Sequence, residues 1–186
     1  MRLIKTIMKF KIREVRSSDA EDMEEATRRS WIQGQKEFLT EEELHMARSS
    51  DEFRKTEEDI QKRLEKEDTF VLVAEVEGKV VGRIRMAWNG EADSFVKPEE
   101  AQLRSMYVHP SYWREGLGTA LVEEAFVRVP DRFSGFVVEV FRDNNRAVGF
   151  YKDLGFEAAG ESSLGPEDID IIEEERKSLI MRKNRE

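Results

Sequence analysis

The chain contains no cysteine and only two histidines among its 186 residues. Without cysteine it has no disulfide, no thiol nucleophile and no thiolate ligand for a metal ion. The two histidines, His45 and His109, argue against a zinc site or a histidine-based catalytic triad. We therefore expect no metal centre and no chemistry that depends on a thiol.

A surplus of basic residues and a long apolar run are also missing. The chain has 31 lysines and arginines against 40 acidic residues, a net charge of −9, whereas nonspecific nucleic-acid binding requires a basic surface. No apolar stretch approaches the roughly 20 residues needed to span a membrane. We expect a cytoplasmic protein that binds neither nucleic acid nor membrane. Its acidic surface keeps it in solution or favours a cationic substrate.

Length and composition predict one folded domain over residues 1–186, with residues 1–8 as a loosely attached N-terminal extension. Strand-like and helix-like segments alternate along it. The strands are expected at 11–15, 69–76, 79–88, 101–108, 135–141, 156–161 and 177–183. The helices are expected from a capping box of Ser18 with Glu21, over 41–66 as one broken helix or two short ones, from Leu117 to before Pro130, and over 144–154.

The connections between these segments predict the sheet. Glu77-Gly78 is a two-residue turn between two strands, which indicates an antiparallel hairpin. The strand, helix and strand over 101–141 indicate a parallel pair joined by a crossover. The expected fold is α/β: a mixed, mostly antiparallel sheet with one parallel crossover pair and helices on both faces.

Gly116 and Gly118 lie where a strand leads through a short loop into a helix, in "YVHPSYWREGLGTAL". The first amides of a helix have no partner within the helix and attract anions, and glycine lets a phosphate approach them. Two glycines one residue apart also occur in plain tight turns. Taken alone, the loop leaves both interpretations open.

A second segment, "VEVFRDNNRAVGFYKDLGF", changes the balance. Together with the glycine loop it resembles the GNAT acyltransferase superfamily, whose loop reads roughly Q/R-x-x-G-x-G/A and whose later signature reads roughly N-x-x-A-x-x-x-Y-x-x-x-G-F. The later signature is complete here, as Asn144, Ala147, Tyr151, Gly155 and Phe156. The two motifs cover about residues 101–157, and the order of elements outside them is similar to the family plan.

The resemblance implies an N-acetyltransferase that moves an acetyl group from acetyl-CoA to a primary amine by direct attack. It implies that the backbone of Met106, Tyr107 and Val108 pairs with the pantetheine arm, and that Asn144 also binds the cofactor. The pyrophosphate loop would consist of Trp113, Arg114, Glu115, Gly116, Leu117, Gly118 and Thr119. Tyr151 would protonate the departing thiolate, since a phenol of pKa about 10 is protonated at neutral pH and can donate to a thiolate of pKa about 8.5.

Two positions depart from the family pattern. Trp113 stands where the family has glutamine or arginine, and Arg114 stands where it often has glycine. Arg114 is a candidate replacement cation for a phosphate, and Trp113 a candidate packing residue against the sheet. The position of the family's occasional glutamate base is Gln102, which cannot accept a proton. Glu100 on the same strand face, or ordered water, would take that role, unless Glu100 is only a solvated loop charge.

Arg83 and Arg85 alternate on one sheet face and are either solvated or part of an acceptor pocket. The acceptor itself stays open between small-molecule and peptide amines, as does the choice between monomer and homodimer. A non-catalytic acyl-CoA-binding sensor on the same fold is the alternative function. Another type of nucleotide-phosphate binder would explain the glycine loop but not the signature from Asn144 to Phe156.

Overall fold

The computed structural model describes residues 9–37, 39–162 and 177–185. Within them, seven strands form one sheet: β1 Lys11–Glu14, β2 Thr69–Val76, β3 Lys79–Ala87, β4 Glu100–Val108, β5 Gly135–Phe141, β6 Glu157–Ser162 and β7 Ser178–Asn184. Their order across the sheet is β1-β2-β3-β4-β5-β7-β6, and all neighbours are antiparallel except β4 with β5. The predicted mixed sheet with one parallel pair is confirmed. The expected extension at 1–8 and the acidic segment at 166–175 lie outside the described residues.

The described part of the chain also forms five α-helices: α1 Ala20–Gln35, α2 Glu41–Ser49, α3 Glu57–Leu64, α4 Leu117–Arg128 and α5 Asn145–Asp153. The region over 41–66 is two short helices rather than one broken helix. Thr40 and Thr56 cap them, and each threonine hydroxyl accepts a hydrogen bond from the backbone N–H three residues on. No helix among the described residues is long and apolar enough to cross a membrane.

The start of α1 differs from the prediction. Ser18 lies in a 3₁₀ turn, Ser17–Asp19, so it does not form a capping box with Glu21. Asp19 fixes this turn because its carboxylate accepts hydrogen bonds from the Arg16 N–H at 2.7 Å and from the Arg13 guanidinium at 2.7 and 2.9 Å. Arg13 belongs to β1, so a contact to the sheet sets where the helix begins.

Helices cover both faces of the sheet, as predicted. Neighbouring residues of a strand point to opposite faces. Val73 of β2 packs with Met23 of α1 and Ile60 of α3 on one face. Its neighbour Leu72 packs on the other face, in the large core that includes Leu121 of α4 and Val148 and Tyr151 of α5.

The parallel pair of β4 and β5 is short, although both strands are long. Their register extends only over Glu100–Leu103 of β4 and Gly135–Val138 of β5. Beyond these residues β5 continues beside β7, while β4 stays paired with β3 as far as Val108. The two strands therefore diverge, and the last part of β4 has one edge without a neighbouring strand among the described residues.

Candidate functional site

A cleft of about 790 Å³ opens where β4 and β5 diverge. Its walls are the end of β4, the loop before α4, the first turn of α4, one side of α5 along its length, and the last turns of α1. The predicted site residues that line it are Met106, Tyr107, Val108, Trp113, Arg114, Gly116, Gly118, Thr119, Asn144 and Tyr151. Leu117 instead points into the core and is 1% exposed, and Glu115 is not among the lining residues. The volume lies in the range of small-molecule and cofactor sites.

The backbone at the open edge of β4 alternates in direction. The His109 N–H donates to the carbonyl of Val81 in β3, at 2.7 Å. Because backbone groups of successive residues point to opposite sides of a strand, Tyr107 also directs its N–H and C=O towards β3. Met106 and Val108 direct theirs towards the cleft. The open edge thus presents backbone groups of Met106 and Val108, and Tyr107 contributes its side chain.

Trp113 closes one end of this edge. Its indole N–H donates to the Val108 carbonyl at 2.6 Å, so that carbonyl already has a donor from the chain itself. The guanidinium carbon of Arg146, in the first turn of α5, lies 3.6 Å from the centre of the Trp113 ring. Trp113 therefore connects β4 with α5 across the mouth of the cleft, which is more than packing against the sheet.

The loop before α4 leaves its amides accessible. Gly116 is the N-cap of α4 with a φ of +87°, and no side chain caps the helix. A Cβ atom added to Gly118 would lie 3.4 Å from two ring carbons of Phe150, so even a methyl group would fill the space between α4 and α5. The unpaired first-turn amides thus face a cradle that only a small residue keeps open.

Arg114 holds an unusual backbone conformation in this loop, with a φ of +66°. Glycine adopts such a φ without steric cost, whereas other residues adopt it rarely. This geometry explains why glycine suits position 114. Here the position instead carries an exposed guanidinium at the edge of the cleft.

Asn144 begins α5 and is already engaged on both sides of its amide. Its Oδ1 accepts a hydrogen bond from the Ala147 N–H at 3.0 Å, and its Nδ2 donates to Gln35 Oε1 of α1 at 3.2 Å. Sequence reasoning assigned Asn144 to the cofactor alone and missed Gln35. In the structure Asn144 caps α5 and ties it to α1 at the border of the cleft.

Tyr151 lies at the inner end of the cleft and is 6% exposed. Its ring contacts Phe150 and Phe156 edge-on, with centroids 5.3 and 5.6 Å apart. Burial raises the pKa of the Tyr151 phenol, and the neighbouring Tyr107 raises it further. The hydroxyl is therefore protonated throughout the neutral range and is a proton donor rather than an acceptor.

Glu100, the candidate proton acceptor on β4, and Gln102, at the position of the family's occasional glutamate, both lie away from the cleft. Glu100 is 6% exposed, so it is not a solvated loop charge. Its carboxylate accepts hydrogen bonds from the Arg182 Nε at 2.8 Å and from the Lys97 N–H at 3.0 Å. Gln102 is 2% exposed and donates to the Asp93 carboxylate at 2.6 Å. Both residues stabilise the paired part of the sheet.

Arg83 and Arg85 point to the face covered by α1 and α3 and are not solvated. The Arg83 guanidinium lies 4.9 Å from the Tyr107 ring centre and donates to the hydroxyls of Thr27 and Ser105 at 2.9 and 3.0 Å. Arg85 pairs with Glu91 at 3.1 Å. Arg83 therefore supports the Tyr107 side chain from behind the cleft wall.

Comparison with known proteins agrees with this geometry. Residues 23–156 match the model of the acetyltransferase (GNAT) family. An uncharacterized N-acetyltransferase of Methanocaldococcus jannaschii is 37% identical over 92 residues, which are 49% of this chain. The match covers only 40% of that relative's own length.

Solved structures share the fold at low sequence identity. The PaiA N-acetyltransferase from Thermoplasma acidophilum in complex with coenzyme A has a TM-score of 0.71 at 20% identity. The match covers 96% of this chain and 100% of the Thermoplasma chain. The ribosomal-protein-S18-alanine N-acetyltransferase from Escherichia coli has a TM-score of 0.63 at 19% identity. This match covers 95% of this chain and 94% of the Escherichia coli chain. A putative streptothricin acetyltransferase from Bacillus anthracis in complex with acetyl coenzyme A has a TM-score of 0.56 at 17% identity, over 68% of each chain.

Proposed function

The chain belongs to the GNAT acetyltransferase family, and on that premise we propose that it transfers the acetyl group of acetyl-CoA to a primary amine by direct attack. The observation that carries the proposal is the cleft between β4 and α5. It combines an open strand edge, a glycine-lined helix start and a buried, protonated tyrosine. A coenzyme A molecule has a matching sequence of groups: an amide-rich arm, a pyrophosphate and a thioester.

The residues present fit acetyl-CoA. The open-edge backbone of Met106 and the Val108 N–H would pair with the pantetheine amides, as a neighbouring strand would. Amides of the loop 113–119 and of the first turn of α4 would hold the pyrophosphate, in the cradle that a Cβ at Gly118 would fill. Crystal complexes of the Thermoplasma and Bacillus proteins with coenzyme A and acetyl coenzyme A support this choice of cosubstrate.

Tyr151 would act as the general acid. Acetyl-CoA, when bound, supplies an activated acyl group with a thiolate leaving group. The Tyr151 hydroxyl would donate a proton to that sulfur as the carbon–sulfur bond breaks, and solvent would return a proton to the phenolate. Because its pKa is raised, the phenol stays protonated in the resting enzyme, but it is also a weaker acid and would release its proton only as the thiolate develops.

The amine must lose its own proton before it attacks. Glu100 is held in a buried ion pair away from the cleft, so we favour proton loss to water in the open cleft over transfer to this carboxylate. The chain contains no cysteine, which leaves direct attack rather than a cysteinyl intermediate. The acceptor, a small-molecule or peptide amine, and the state as monomer or homodimer remain predictions.

A thiol-release assay tests the proposal. The chain is incubated with acetyl-CoA and a panel of polyamines, small amines, lysine peptides and peptides with free N-termini, and released CoA is measured with a chromogenic disulfide. Because the protein has no cysteine, every thiol detected comes from the cosubstrate. Thiol release with a matching acetylated product in mass spectrometry supports the transferase. Tight acetyl-CoA binding without turnover on any amine supports the non-catalytic sensor instead.

A further inference from the structure

The two helices whose N-terminal ends line the cleft, α4 and α5, differ from the other helices in the charge of their first turns. The first turns of α1, α2 and α3 each carry two or three acidic residues, as helix dipoles favour. The first turns of α4 and α5 carry none. In a chain with 40 acidic residues, the first turns of these two helices are without acidic side chains, and Glu115 and Asp143 lie just before their N-caps.

The first turn of α5 carries a cation instead, although the helix dipole disfavours one there. Arg146 is the second residue of α5, and its guanidinium lies against the Trp113 ring at 3.6 Å. On its other side is Gly34 of α1, where an added Cβ would lie 3.1 Å from Arg146 Nη2. Arg146 is thus held between an aromatic ring and a helix backbone, with glycine at the point of closest approach.

No carboxylate among the described residues lies within ion-pairing distance of Arg146. Burial lowers the pKa of its guanidinium, the attraction of Glu37 raises it, and the repulsion of Arg114 lowers it further. Two cations therefore share one end of the cleft with the unpaired amides of α4. Glu37 offsets part of this charge, and the two guanidinium groups with the unpaired amides favour an anion at this end of the cleft.

Trp113 sets the position of this cation. Its indole N–H is fixed to the Val108 carbonyl at 2.6 Å, so the ring face that Arg146 contacts has a defined orientation. The family pattern places a glutamine or arginine at position 113, and this chain has a ring there instead. The ring reaches the helix that supplies the guanidinium.

We propose that Arg146, positioned by Trp113, binds the pyrophosphate of the cosubstrate and so replaces the polar side chain that the family pattern has at position 113. Arg146 is the binding residue, and Trp113 is a positioning residue that acts through it. The inference rests on the proposed function, because it assumes that a coenzyme A pyrophosphate occupies the cleft.

Calorimetric titration of the full chain with three ligands tests the assignment. Coenzyme A carries the pyrophosphate and a 3′-phosphate, dephospho-CoA carries only the pyrophosphate, and pantetheine carries neither. Arg146→Gln should weaken binding of the first two about tenfold each, the effect of one lost charge-assisted hydrogen bond. It should leave pantetheine unchanged. Arg54→Gln, which removes an exposed arginine outside the cleft, is the charge-matched control and should change none of the three.

Variants of Trp113 test the positioning role. Trp113→Phe keeps a ring beneath the guanidinium but loses the indole N–H that orients it, so its affinity for coenzyme A should lie between those of the parent and of Trp113→Leu. Trp113→Leu removes the ring and should lose as much affinity as Arg146→Gln. A double variant with both Trp113→Leu and Arg146→Gln should lose no more affinity for coenzyme A than either single variant, because the two residues act as one unit. Thermal unfolding of each variant identifies any that fails to fold.

The outcomes of these titrations distinguish a failure of the proposed function from a failure of the Arg146 assignment. If the parent chain does not bind coenzyme A, the proposed function itself is wrong. If the parent binds it and Arg146→Gln binds it equally well, only this inference is overturned. A loss confined to coenzyme A would assign Arg146 to the 3′-phosphate, and an equal loss for pantetheine would show general damage to the cleft. Either result overturns the pyrophosphate assignment.

Discussion

Replacing Arg114 by glycine separates the backbone conformation of the loop from its charge. Arg114 has a φ of +66°, a conformation that costs a residue with a Cβ about 1 kcal/mol. Glycine removes this cost but adds about 0.5–1 kcal/mol of entropy loss on folding. The two effects nearly cancel, so the free energy of unfolding of Arg114→Gly should stay within about 1 kcal/mol of that of the parent.

The same change removes a cation from the mouth of the cleft. The Arg114 side chain is exposed, and water screens its attraction for a phosphate. Its loss should therefore raise the dissociation constant for coenzyme A only about two- to fivefold, which corresponds to about 0.5–1 kcal/mol. This is a smaller effect than the one expected for Arg146, whose guanidinium is held against the Trp113 ring at 3.6 Å, and added salt should reduce it further.

Urea unfolding and calorimetric titration measure the two quantities independently. Arg114→Ala is the matched variant, because it loses the cation but keeps a Cβ at a positive φ. It should bind coenzyme A as weakly as Arg114→Gly. Its free energy of unfolding should lie within about 1 kcal/mol of that of the glycine variant, because the backbone cost that it keeps and the entropy loss that it avoids nearly cancel. Parent-like affinity in both variants would refute the charge argument. A difference of more than about 1 kcal/mol between the free energies of unfolding of the glycine and alanine variants would refute the backbone argument.

Three further predictions concern Tyr151, Glu100 and Asp19. Tyr151→Phe should lower kcat by about 100-fold or more, since it removes a general acid, and leave the coenzyme A dissociation constant within about twofold; equal rates for both proteins would exclude the acid role. Glu100→Gln should lower the free energy of unfolding by about 2–3 kcal/mol, because it breaks the buried pair with Arg182. The kcat of the folded enzyme should stay the same. A large fall in kcat at unchanged stability would instead favour a catalytic Glu100. Burial pushes the pKa of Asp19 up, but hydrogen bonds from Arg13 and Arg16 outweigh it and the net pKa is lowered. The stabilisation by Asp19 is therefore present above its unfolded pKa of about 4 and is lost as the pH falls below that value. Asp19→Asn should be less stable at neutral pH and show a shallower loss between about pH 5 and 3 in chemical unfolding, and parallel curves for the two proteins would contradict the assignment.

Local patterns predicted most of the fold because they depend on residues close in sequence. The hairpin turn at Glu77-Gly78 is confirmed, and both residues have the positive φ that such a turn requires, +50° and +83°. The strand over residues 135–141 has the predicted bounds. Gly155 ends α5 with a φ of +86°, as its place in the signature indicated. In each case the conformational preference of one or two residues decides the outcome.

The site depends more on contacts between distant residues, and these could not be predicted. Glu100 is paired with Arg182, which is 82 positions away, so its burial could not be inferred from the local sequence. The contact between Trp113 and Arg146 likewise requires that the loop before α4 meets the start of α5. A signal for Arg146 was present, since it lies in a helix start without acidic residues. Its meaning depends on the tertiary position of that helix.

The short register between β4 and β5 also affects the cooperativity of the whole protein. Among the described residues, strand pairing between Glu100–Leu103 and Gly135–Val138 joins β1 to β4 with β5, β7 and β6, and the Ser134 N–H adds one hydrogen bond to the Glu99 carbonyl. Local opening along this line breaks few backbone hydrogen bonds, whereas opening between β2 and β3 breaks those of two complete strands. A molecule that hydrogen-bonds to β4 and also contacts α5 connects the two parts of the sheet. Its binding free energy is then added to the resistance of the sheet against local opening.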